Sequence, residues 1–211
     1  MMRVSLLSLL ALSACSGAYG RRVPDDVVER LPYESRIELL ESENALAVAL
    51  DRVDEANGEI TRARDGLRRA KSRQEEAEDE VDRAEDDVSR GVAKLAVEES
   101  QARVIHLRAR QHLNVEREEI EQLALRCAYA RFELARLAAA RKAKVEGSEK
   151  LEPSDFEKQA ETCEARVKEA RKELSEPEAE EQAARKTWNE KRAALSQKTF
   201  DGKASPFIEE L

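Results

Sequence analysis

LAVALDRVDEANGEITRARDGLRRAKSRQEEAEDEVDRAEDDVSRGVAKL, residues 46–95, carries a repeat of period seven. One series runs Leu46, Val53, Ile60, Leu67, Gln74, Val81, Val88 and Leu95. Three residues further along runs a second: Ala49, Ala56, Ala63, Ala70, Ala77, Ala84 and Gly91. Spacings of three and four keep both series on one side of an α-helix, and a strict seven-residue repeat winds that side against a partner helix as a left-handed supercoil. The seam alternates large with very small side chains, so its partner backbone is expected to come close. The partner is a second copy of the chain, another protein, or another helix of the same chain.

Composition points the same way. Of 211 residues 39% are charged and 4% aromatic, against roughly 25% charged in ordinary globular domains. A thick core is not expected, whereas long helices with solvated charged faces are. The net charge of −8 argues against unspecific binding to nucleic acid or to anionic lipid, both of which need an excess of Lys and Arg.

The first residues, Met1, Met2 and Arg3, precede an apolar run from Val4 to Leu12. A basic n-region followed by a short h-region is the pattern of a signal peptide, and the run is far below the roughly 20 residues that a membrane-spanning helix needs. Next come Leu12, Ser13, Ala14 and Cys15, a quartet that resembles the lipobox of bacterial lipoproteins. The resemblance implies that residues 1–14 are removed, that the Cys15 thiol carries a diacylglyceryl group, and that Cys15 heads the mature chain. Ser16 after it resembles an outer-membrane sorting signal, which places the protein in the cell envelope, facing the periplasm. Two or three acyl chains hold a protein firmly on a bilayer. Residues 15–34 read as a flexible tether, with Arg21 and Arg22 placed to meet lipid head groups and Pro24 and Pro32 bracketing one or two helical turns.

From Ser35 the chain reads as all-α, a long antiparallel coiled-coil hairpin. Ser35 and Glu38 have the spacing of a capping box, and no proline follows until Pro153, so residues 35–147 are expected to form one long helix. A break near Gly91 would instead give an elongated three-helix bundle. Past Leu95 the stripe changes phase, then widens from Ile120 to Ala138, as expected of a helix with more than one neighbour. Residues 148–153 form the tip loop, and Ser154 with Glu157 repeats the capping box. The return helix, 154–198, carries its stripe on Phe156, Ala160, Cys163, Val167, Ala170, Leu174, Pro177, Glu181, Ala184, Trp188 and Leu195. That phase persists through Pro177, which favours a kink over two separate helices. Residues 199–211 read as a loose tail.

Little in the chain suggests catalysis. His106 and His112 are six apart, on opposite sides of a helix rather than at the four-residue spacing of a shared metal, and both read as surface residues. No phosphate loop or nucleophile elbow is present. The chain therefore reads as not an enzyme, with no cofactor and no metal. Cys127 and Cys163 are an even pair of thiols in a chain with an export address, which points to a disulfide. A loop running back along the first helix would bring them level. An intermolecular bridge and two buried thiols are the competing outcomes. The expected function is a membrane-anchored coiled-coil lipoprotein serving as spacer, tether or docking scaffold. A holdase-type chaperone or a channel-docking adaptor hairpin is the alternative, although neither a trimerising base nor flanking β-rich domains occur.

Overall fold

The computed structural model describes residues 20–199; the expected signal peptide, Cys15 and the expected tail from 200 lie outside them. Among the described residues the chain is all-α: α1 Asp25–Glu29, α2 Tyr33–Glu38, α3 Leu40–Arg83, α4 Asp87–Lys142, a short 3-10 turn Ser148–Lys150, α5 Pro153–Glu173 and α6 Ser175–Thr199. They form two compact units, one from residues 20–51 with Gln122–Lys168, the other from Arg52–Glu121 with residues 169–199.

The expected single helix over 35–147 is in fact α2, α3 and α4. Its main break falls at Ala84–Asp86, five residues ahead of Gly91, and needs no glycine. The carboxylate of Asp86 accepts from the Ser89 amide at 2.8 Å and from the Ser89 hydroxyl at 2.7 Å, an N-cap that starts α4. These bonds, the backbone one foremost, hold the Asp86 carboxyl below its ordinary value. Gly91, expected in the seam, has open space around it, and Val88 is 78% exposed; the heptad continues through the turn in sequence but not in packing. Asn57-Gly58, by contrast, leaves α3 unbroken, with the Asn57 amide donating back to the Val53 carbonyl at 3.0 Å.

In the second unit α3 and α4 pack antiparallel, as in a helical hairpin or bundle. Leu67 and Ala70 meet Val104 and Leu107 in one apolar cluster. At Leu67 and Ala70 the seam thus packs on a helix of the same chain. Val53, Ala63, Leu67, Ala70 and Ala77 are buried, while Leu46, Ala49, Ala56, Ile60, Val81, Ala84 and Leu95 are half-buried. Every member of the return series from Phe156 to Leu195 is likewise buried or half-buried. That series crosses from α5 to α6 without reversing. The break falls at Leu174 because Pro177 has no N–H for the Glu173 carbonyl four residues back, while its place in the first turn of α6 costs nothing.

The first unit has the thicker core: Val23, Val27, Leu31 and Leu39 pack with Phe132, Leu137, Ala140, Val145 and Phe156. From Val23 onward the chain therefore packs into a core rather than forming a flexible tether. Arg21 pairs with Asp155 at 2.9 Å and Arg22 lies over the Tyr129 ring, both side chains staying more than half exposed. Gly20 has φ +73, a left-handed conformation that strains any other residue, and a Cβ there would also push aside the flexible end of Gln159. Ser35 lies inside α2 and makes no cap, because Pro32 precedes the helix. α5 similarly begins one residue before Ser154, with Pro153 in its first turn.

The end of α4 sets the disulfide register. The helix stops at Lys142, five residues earlier than expected, in a Schellman motif: the Val145 amide donates to the Ala140 carbonyl at 2.9 Å and the Lys144 amide to Arg141 at 3.0 Å. Lys144 takes the left-handed position at φ 55. Arg141 then donates to the Leu151 carbonyl at 2.6 Å and the Ser148 carbonyl at 3.3 Å, folding the loop back along α4.

Candidate functional site

That fold-back brings Cys127 of α4 level with Cys163 of α5. The two are disulfide-bonded, with Cα atoms 5.4 Å apart, and the asymmetric loop expected from sequence is what makes the bond possible. A crosslink closing 36 residues stabilises by about 4 kcal/mol when chain entropy dominates. Beside it Arg131 and Glu164 form an ion pair at 2.5 Å that lowers the Glu164 carboxyl and raises the Arg131 guanidinium.

Six residues beyond Cys127 on α4, Glu133 is fully buried. Its carboxylate accepts from the Val23 amide at 2.7 Å and from the Arg136 guanidinium at 3.0 Å. Tyr129 adds a third hydrogen bond, and its hydroxyl is raised above the ordinary value of 10.0, first by burial and then by the Glu133 charge. A buried carboxylate is tolerated only when its lone pairs are filled in this way. Glu133 fixes where the N-terminal segment joins the first unit.

The second unit holds a different cluster. Glu99, Arg103 and His106 stand at spacings of four and three on α4, and Glu181 and Trp188 stand seven apart on α6; each set shares one helix face. Packed antiparallel, the faces meet in register. The Trp188 indole N–H donates to Glu99 at 2.7 Å and His106 Nε2 meets Glu181 at 2.9 Å. The guanidinium groups of Arg103 and Arg192 flank the indole at 5.7 and 5.8 Å. His106, read from sequence as a surface residue, is only 4% exposed. His112 is exposed, near Glu116 and Glu180.

Burial pushes the His106 imidazole below its ordinary value of 6.5, and the hydrogen bond and charge of Glu181 offset this only in part; Arg110 and Arg185 push it further down. The neutral ring donates from Nε2 to Glu181, leaving Nδ1 as an acceptor. Nδ1 is buried and has no hydrogen-bond partner. A carboxylate that orients a histidine and leaves the other nitrogen bare is the arrangement of a general base. Here the bare nitrogen is buried within the protein.

Among the described residues no group of three or more His, Cys, Asp or Glu side chains is placed to hold a metal ion, and no helix is long and apolar enough to cross a membrane. An open groove of about 510 Å³ in the second unit is lined by Arg52, Arg117 and Arg171 together with Glu55, Glu59 and Glu121, so its charge favours neither anion nor cation. Two of the clustered carboxylates had a signal in sequence: buried Glu133 interrupts a widened apolar stripe, and half-buried Glu181 occupies the return seam. No protein-family model, curated protein or solved structure matches this chain.

Proposed function

We propose that the protein is a lipid-anchored helical scaffold of the bacterial envelope, exported by its N-terminal signal and held on the outer membrane, facing the periplasm, by acyl chains on Cys15. The observation that carries the reading is the Cys127–Cys163 disulfide. Disulfides persist in oxidising compartments outside the cytoplasm. The pairing accounts for two of the three cysteines, and the third stands in the lipobox-like quartet. Seam positions of α3 are taken up by the chain's own helices, so a partner protein would meet the outer helix faces, as a spacer or docking scaffold requires. The clusters around Glu133 and His106 serve such a scaffold by locking helix register.

The test is metabolic labelling with a fatty-acid probe and fractionation of cells making wild type or Cys15→Ala. Label and membrane association are expected in wild type and neither in the variant. Unlabelled wild type in the same soluble fraction as the variant contradicts the proposal.

A further inference from the structure

We infer that the outward face of α2 and the first turns of α3 lies against a zwitterionic lipid surface, an inference that rests on the anchor reading above. Tyr33, Ile37, Leu40 and Val48 are 74%, 48%, 57% and 42% exposed. Their spacings of four, three and eight keep them on one side of a helix. Leu39 between α2 and α3 stays in the right-handed helical region, at φ −83 and ψ −14, so the face carries across the joint. The opposite side holds buried Leu39 and half-buried Leu46, packed in the core of the first unit. These segments therefore present two apolar faces, of which the core uses one. Single exposed apolar residues are ordinary, but a row of them with a polar rim marks an interaction surface.

The length of chain ahead of the unit identifies the occupant. Gly20 and the residues after it are fixed to the first unit: the Arg21 amide donates to Gln159 and the Val23 amide to Glu133, both at 2.7 Å. Between Cys15 and Gly20 lie five peptide steps, which reach at most about 18 Å when fully extended. Acyl chains on Cys15 would hold the first unit against the bilayer at high effective concentration, and even weak apolar contact would then be made. Tyr33 suits the interface, with an apolar ring and a polar hydroxyl. Glu34 and Glu41 flank the row, and α3 begins with the acidic residues Glu41 and Glu43. With Arg36 the one basic residue of α2, the rim is acidic on balance, which repels anionic lipid and favours zwitterionic head groups.

The experiment places a photoreactive residue in the full-length protein in intact cells, as Ile37→p-benzoylphenylalanine and, for comparison, Val88→p-benzoylphenylalanine. Both positions are exposed, so neither substitution disturbs a core. Irradiation should give an adduct of phospholipid mass at position 37 and none at position 88. Protein adducts alone at position 37, no adduct there, or equal lipid adducts at both positions overturn the inference. Fatty-acid labelling of the same preparation separates the two readings. Labelled protein without a lipid adduct at position 37 refutes the face and keeps the anchor, whereas unlabelled protein refutes the anchor.

Discussion

Trp188 stacks on His106 with ring centroids 5.2 Å apart and planes 9° from parallel, and the same two side chains each hold a carboxylate of the opposite helix. The stack covers one imidazole face and excludes the water that a charged imidazolium would need. This makes stability depend on pH in a defined direction. An unfolded chain protonates His106 near 6.5, whereas the folded value is lower. Below about pH 6.5 the unfolded state thus binds a proton that the folded state refuses, and stability falls with pH until the folded value is reached. Above 6.5 the group contributes no slope. Melting temperatures between pH 7.5 and 5 should fall more steeply for wild type than for His106→Gln. Equal slopes would mean that His106 is not buried as described.

Trp188→Phe keeps an aromatic ring on His106 but removes the indole donor to Glu99, which is 3% exposed. Leaving that carboxylate unpaired should cost about 1 to 3 kcal/mol or more in a denaturant titration. Glu99→Gln retains an acceptor and should cost less.

Ala70 is 1% exposed where α3 faces Val104 and Leu107. Ala70→Leu should destabilise by roughly 1 to 3 kcal/mol through overpacking, while Val88→Leu, in the exposed turn region, should leave the melting temperature nearly unchanged. A raised melting temperature for Ala70→Leu would contradict the close approach of α3 and α4.

Glu133→Ala strips the partner from the Val23 amide and leaves the Arg136 charge, 20% exposed in its side chain, without its carboxylate. Breaking one side of a buried pair costs roughly 3 to 5 kcal/mol. Hydrogen exchange should quicken first at Val23 and Val27. Unchanged protection there would show that the N-terminal segment is held by apolar packing alone.

The α3 and return stripes were legible because apolar spacing is written directly in the chain: Leu67 and Ala70, Phe156 and Ala160 all lie where their period puts them. The turn at Ala84–Asp86 was not, because the heptad runs on to Val88 and Gly91 by composition while the stop is made by a cap. Its trace, Asp86 followed three residues later by Ser89, contains no glycine or proline. The early end of α4 was hidden for a similar reason, since Lys144 takes the left-handed position that glycine usually fills. His106 escaped because its partner Glu181 is 75 residues away, and only the matching seven-residue spacings on α4 and α6 hint at it. Gly20 to Leu31 passed for a linker because Val23, Val27 and Leu31 bury themselves from two short turns rather than from a long periodic helix.

Peptide mass analysis of protein taken from the envelope under non-reducing conditions reads the anchor at Cys15 and the clamp between Cys127 and Cys163 in one spectrum. The expected spectrum contains an acylated N-terminal peptide beginning at Cys15 and a joined pair of peptides carrying Cys127 and Cys163. An unprocessed, unacylated N-terminus together with two separately alkylated thiols would contradict the account.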